Sequence, residues 1–194
     1  MPNVSDVLLW LDSGVSNQDP SHTFWVTGQP LPLSARDFGL FSAFLIAALL
    51  LHHATARPVW LLGLLPLVFD SLNSFASGAL GRSLYAPSNE LRLATGLLAG
   101  LCLARALPLG LLKGFGPRRA QTLSLLLMLL ALVTIAIFAP SVALAALGTV
   151  GVLVMLATAN LLVRRMPVTL AWLLAAPELA MLAALKQLAL RAIG

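Results

Sequence analysis

The chain has 194 residues, of which 59% are hydrophobic and 10% charged, with a mean hydropathy of +0.94. Soluble domains carry about 25% charged residues, so the composition argues against a water-soluble globule and for a single membrane-embedded unit of the all-α class. The formal charge of +5 does not indicate nucleic acid, because no basic patch is interleaved with aromatics.

Residues 1–36 read as an extramembrane or interfacial segment, and residues 37–194 as a transmembrane helical bundle. The N-terminus has no basic n-region, and its acids are Asp6, Asp12 and Asp19. It is therefore not expected to be a cleavable signal peptide, and the first span should insert as an anchor. Val4, Val7, Leu8 and Leu11 fall at helical spacing, with Asp6 and Asp12 on other faces. This predicts a short amphipathic helix on the membrane surface, with Trp10 at headgroup level. Gly14 ends it. A polar stretch follows, and then Phe24, Trp25 and Val26 can re-enter the interface. Gly28, Pro30 and Pro32 force a turn-rich path. His22 reads as a solvated loop histidine, since no second ligand stands at metal spacing.

Six apolar runs follow, near 37–56, 58–80, 88–107, 121–139, 141–163 and 167–190. Each is close to the roughly 20 residues that a span needs. Pro58, Pro140 and Pro167 stand at starts or turns, where a missing N–H does no harm. His52 and His53 end the first run; neighbours diverge on a helix, so they read as interfacial anchors. The lone Cys102 cannot form an intrachain disulfide and reads as a small buried hydrophobe. Arg57, Arg105, Lys113, Arg118, Arg119, Arg164 and Arg165 fall on one face of a six-span bundle. Arg36, Arg82, Arg92, Lys186 and Arg191 fall on the other. This excess puts the first face in the cytoplasm. The expected protein is a multi-pass protein of the inner (plasma) membrane with both termini outside.

The stretch 65–73 places Asp70, Ser71 and Asn73 inside the second run, just after Pro66. An ionisable group in hydrocarbon costs several kcal/mol unless paired or watered. Arg36 and Asp37 open the first span on the same outer side, and Asn89 and Arg92 open the third. Arg36, Asp37, Asp70, Asn73, Asn89 and Arg92 are therefore the candidate ligand-binding set. The expected ion pair is Asp70 with Arg92, and Arg36 is the second choice. At 1.5 Å per residue Asp70 lies about 15 Å deep and Arg92 about 6 Å. That leaves a mismatch of about 9 Å for the arginine to cover. Pro66 should also free the carbonyl of Leu62, which needs another donor.

Gly96 and Gly100 form a small-residue pair suited to close helix contact, expected inside the bundle. Glu178 follows Pro177 in the middle of the last span and reads as an intramembrane acid, a proton or ion site by default. Lys186 lies eight residues on, about 80° round the helix, and is no obvious partner. The chain has no P-loop, HExxH, GxSxG or paired-cysteine motif. No catalytic residue, metal or cofactor is expected.

A set of residues carries a family resemblance: Ser16-Asn17-Gln18, Thr23-Phe24, Gly28, the stretch 31–39 reading Leu-Pro-Leu-Ser-Ala-Arg-Asp-Phe-Gly, Asp70, and Asn89 to Gly96. It resembles the membrane family called domain of unknown function 2085. Members of that family look like Cys-His-Gln, then Leu-Pro-Leu-Cys-Ala-Arg-x-x-Gly, then Asn-x-Leu-Arg-x-x-x-Gly. Here Ser16 and Ser34 stand where the pattern has cysteines, and Asn17 where it has histidine. The resemblance implies a shared scaffold and polar pocket around Arg36, Asp70 and Arg92. It also argues against a redox or metal role in this chain.

The leading functional expectation is an accessory subunit of a larger membrane complex, with the bilayer and other membrane subunits as partners. The alternative is a protein that binds or transports a small anion or lipid headgroup. Proton-coupled transport through Glu178 ranks third.

Overall fold

The computed structural model describes residues 4–16, 19–50, 57–107, 140–165 and 167–193. The expected fourth span, the basic residues Lys113, Arg118 and Arg119, and Asn17, Gln18, His52 and His53 lie outside the described residues. Among those described, helices carry the fold: α1 Val4–Asp12, α2 Ala35–Leu50, α3 Leu65–Leu80, α4 Asn89–Ala106, α5 Pro140–Val163 and α6 Val168–Ile193. The all-α expectation holds. Among the described residues one tight hairpin interrupts it, β1 Trp25–Val26 paired with β2 Gln29–Pro30. Thr27 and Gly28 turn it with positive φ angles of 52° and 76°, as a two-residue hairpin turn requires.

Among the described residues, three stretches are long and apolar enough to cross a membrane: Pro58–Leu80, Val142–Val163 and Thr169–Arg191. The first starts as a 3-10 helix, Pro58–Leu64, and becomes α3 with Pro66 in its first turn. There the carbonyl of Leu62 accepts the N–H of Leu65, which is the donor that the proline made necessary. α3 is inside-out relative to a soluble helix. Its buried residues are Asp70 and Asn73, while Phe69, Leu72 and Phe75 are exposed. That polarity suits a helix whose outer face meets lipid.

The hub is α2. Its buried Phe44, Leu45, Ala47 and Ala48 form the main core with Ala104 of α4, Val154 and Ala157 of α5, and Ala175 of α6. Glycines bring its neighbours close. A β-carbon at Gly96 of α4 would meet the carbonyl of Arg36, and one at Gly100 that of Leu40. From the other side, one at Gly151 of α5 would meet the carbonyl of Phe41. The Gly96/Gly100 pair is thus an internal seam, as the sequence suggested.

α1 departs from the expectation. It packs on α5 and α6 rather than lying apart on a membrane surface. Leu11 and Val15 join a second core of Leu33, Phe41, Val152 and Leu179. Asp12, expected away from the apolar face, is buried. Periodicity finds an apolar stripe but does not say whether lipid or protein covers it.

Candidate functional site

The α2–α4 seam sets the site's geometry. Because Gly96 lies against Arg36, Arg36 sits four residues further along α4 than Arg92, or about 6 Å deeper. That closes most of the depth gap to Asp70. Arg36 Nε and Nη2 both donate to Asp70 Oδ2, at 3.1 and 2.5 Å, and Nη2 also donates to Ser74 Oγ at 3.2 Å. Asp70 is 1% exposed and Arg36 21%. The expected pairing of Asp70 with Arg92 is therefore corrected: the ion pair is with Arg36. α3 stays helical to Leu80, so Asp70 keeps its depth, and only the deeper arginine meets it.

A loop closes over this pair. Tyr85 donates its hydroxyl to Asp70 Oδ1 at 3.1 Å. Burial, then the bond to Asp70, raises the Tyr85 phenol above its ordinary pKa. Asn73 holds the loop backbone at both of its polar atoms. Its Nδ2 donates to the carbonyl of Tyr85 at 3.0 Å, and its Oδ1 accepts the N–H of Leu84 at 2.7 Å. Asn73→Ala strands both backbone groups and should cost about 1–3 kcal/mol. Thermal unfolding in detergent checks this; a midpoint equal to that of the parent protein would show that the loop does not depend on Asn73.

Arg92 and Asn89 form a second, shallower group. Asn89 Nδ2 faces the carbonyls of Ser21 and Thr23 at 3.3 and 3.2 Å, tying the start of α4 to the N-terminal segment. Its Oδ1 accepts from Arg92 Nη1 at 3.1 Å. Arg92 is 6% exposed, yet among the described residues no ion pair joins it to a carboxylate. Burial, then the charges of Arg92 and, more weakly, Arg36, lower the pKa of His22 against the opposing charge of Asp19. A solvated loop histidine was expected; the structure half-buries it beside the arginines.

Asp37 does not join the Arg36–Asp70 pair. Its Oδ2 accepts the hydroxyls of Ser16 and Ser34, both at 2.7 Å, and Ser16 Oγ accepts the N–H of Ser34 at 2.9 Å. The two serines standing at the cysteine positions of the resembled pattern thus converge on one carboxylate oxygen. Lys186, from α6, donates to the carbonyl of Ser16 at 2.7 Å.

Glu178 is far from alone. Asn160 Nδ2 donates to its Oε2 at 2.6 Å and Arg164 Nη1 to its Oε1 at 2.7 Å. The three line an open groove of about 300 Å³ with Leu156, Val163, Met181 and Leu182. An ion pair stands where the sequence suggested a lone carboxyl. Among the described residues, no group of three His, Cys, Asp or Glu side chains could hold a metal.

Residues 17–106 match the family model described as "Predicted membrane protein (DUF2085)". The resemblance read from the sequence is borne out over the region that holds α2, α3, α4 and the whole Arg36–Asp70–Arg92 cluster. No curated protein and no solved structure matches the chain.

Proposed function

We propose that this is a multi-pass protein of the inner (plasma) membrane, termini outside, whose α2–α4 cluster binds a small anion of the phosphate or carboxylate class, free or on a lipid headgroup. The observation that carries the reading is Arg92, nearly buried and, among the described residues, bonded to a neutral amide oxygen and in no ion pair, with Asp70 and Asp19 acting on it only from a distance. A buried cation with no counter-ion in contact is costly, and a bound anion lowers that cost. Arginine suits the task because its planar fork meets two oxygens of one phosphate or carboxylate. The roles of the two arginines differ. Arg36 is neutralised by Asp70 and positions the site, whereas Arg92 supplies the binding charge.

The test is retention of phospholipid and of added inorganic phosphate, read by native mass spectrometry of the purified protein. Arg92→Gln should weaken binding at least about tenfold, since a charge-assisted bidentate contact contributes more than 1.4 kcal/mol. Its helix content and unfolding temperature should stay near those of the parent. Unchanged retention sinks the reading, and so does an Arg92→Gln variant that does not fold.

An accessory-subunit role is the second reading. It is favoured by the outward Phe69, Leu72 and Phe75 of α3, which suit an apolar partner as well as lipid. Purification in mild detergent at native expression should then bring a stable partner with the chain. A chain that migrates alone counts against it.

A further inference from the structure

α1 docks on the bundle through a carboxyl group that has too few partners. Asp12, its last residue, is completely buried. Its Oδ2 lies 2.8 Å from Thr149 Oγ1 of α5. Its Oδ1 has no hydrogen-bond partner; among the described residues, the only other such buried side-chain atom is Ser42 Oγ. Thr149 Oγ1 also lies 3.0 Å from the carbonyl of Ala145.

A threonine hydroxyl has one proton to give. With Asp12 ionised, Thr149 must choose between the carboxylate and the carbonyl, and a charge sits in apolar packing with at most one donor. With Asp12 neutral, its own proton goes to Thr149 Oγ1. The threonine proton then goes to Ala145, and both bonds form at once. The neutral acid fits the site and the anion does not.

No charge nearby reverses this. α5 carries no ionisable side chain between positions 140 and 163. On α6, Glu178 is held by Arg164 and Asn160, Lys186 donates to the carbonyl of Ser16, and Arg191 is exposed at the far end. On α2, Arg36 is bonded to Asp70 and Asp37 to the two serines. Asp6 is the other acid of α1.

We propose that Asp12 and Thr149 form a proton-binding site that couples the docking of α1 on α5 and α6 to pH. Burial pushes the docked carboxyl up from 3.8 to about 7, with the Thr149 bond partly opposing. An undocked α1 returns the carboxyl to water. The docked state therefore binds the proton more tightly. Docking is strongest below about pH 4, weakens as pH rises towards 7, and is level above that.

The test is hydrogen–deuterium exchange of the 9–16 amides in the full chain in nanodiscs, each pH referenced to its intrinsic exchange rate. From pH 5 to pH 8 their protection should fall roughly 10- to 100-fold, while the amides of α5 stay unchanged. Asp12→Asn should hold protection equal at both pH values, because its amide donates to Thr149 as the neutral acid does. Equal wild-type protection at both pH values overturns the proposal, as does a pH-dependent loss in Asp12→Asn like that of the wild type. Should Asp12→Asn not accumulate, Thr149→Val decides. It removes the bond that favours the anion, so it must reduce protection more at pH 8 than at pH 5 and leave the fall with pH at least as steep; protection that no longer falls with pH overturns the proposal.

Discussion

Arg36→Met and Asp70→Leu should each lower the free energy of unfolding by about 3–5 kcal/mol, and the double variant should recover most of that loss. The single changes are severe because each strands a partner. Asp70 is 1% exposed, so removing Arg36 leaves a carboxylate with, among the described residues, the Tyr85 hydroxyl as its one remaining side-chain donor. Removing Asp70 leaves the Arg36 guanidinium beside Ser74, with Arg92 adding a second positive charge in the neighbourhood. The double variant removes both charges at once. Its residual cost is the lost bonds of Tyr85 and Ser74, about 1 kcal/mol each. A double-mutant cycle by denaturant titration in mixed micelles gives the coupling directly. If the double variant loses the sum of the two singles, the residues do not act as a pair. Such strong coupling would also separate Arg36 from Arg92: the first holds the bundle, and the second, on the proposed reading, holds the anion.

The sequence made the class of the fold and the identity of the polar residues legible, because both depend on local composition. An Asp and an Asn within an apolar run must face inwards wherever that run crosses a membrane, and Asp70 and Asn73 are the buried residues of α3. The partner of Asp70 was not legible. It depends on how deep α2 sits beside α4, and that depth is fixed by Gly96 lying on the Arg36 carbonyl. The glycine pair was visible in the sequence, but its register against α2 was not. Glu178 illustrates the same limit. Its partners Asn160 and Arg164 stand across the α5–α6 turn, and spacing along its own helix points only to Lys186, which lies on another side. Tyr85, Ser74 and Thr149 gave no signal at all, since a lone hydroxyl in a loop or helix is ordinary until folding brings an acid to it. Asp12 misled, because a carboxylate at a helix end looks solvated in any one-dimensional reading.

Gly96→Ala should cost about 3 kcal/mol, while Gly78→Ala should be neutral or add about 0.5–1 kcal/mol of stability. Both glycines lie inside helices, so the two changes gain similarly in helix propensity. They differ in what the new methyl meets. At Gly78 there is nothing within 4 Å. At Gly96 it meets the backbone carbonyl of Arg36, with the N–H of Leu40 at 3.0 Å. Backbone cannot rotate aside as a side chain can, so α2 as a whole must retreat from α4. That retreat moves Arg36 against Asp70 and also opens the seam at Gly100 and Leu40. Part of the cost of Gly96→Ala is thus lost ion-pair geometry rather than lost packing. It follows that the same change should cost less, by about 1 kcal/mol or more, in the Arg36→Met/Asp70→Leu background, where no ion pair remains to be strained. Unfolding titrations of the four proteins measure this. An equal cost in both backgrounds would mean that the seam and the ion pair are independent, and that the depth of Arg36 is set by something other than Gly96.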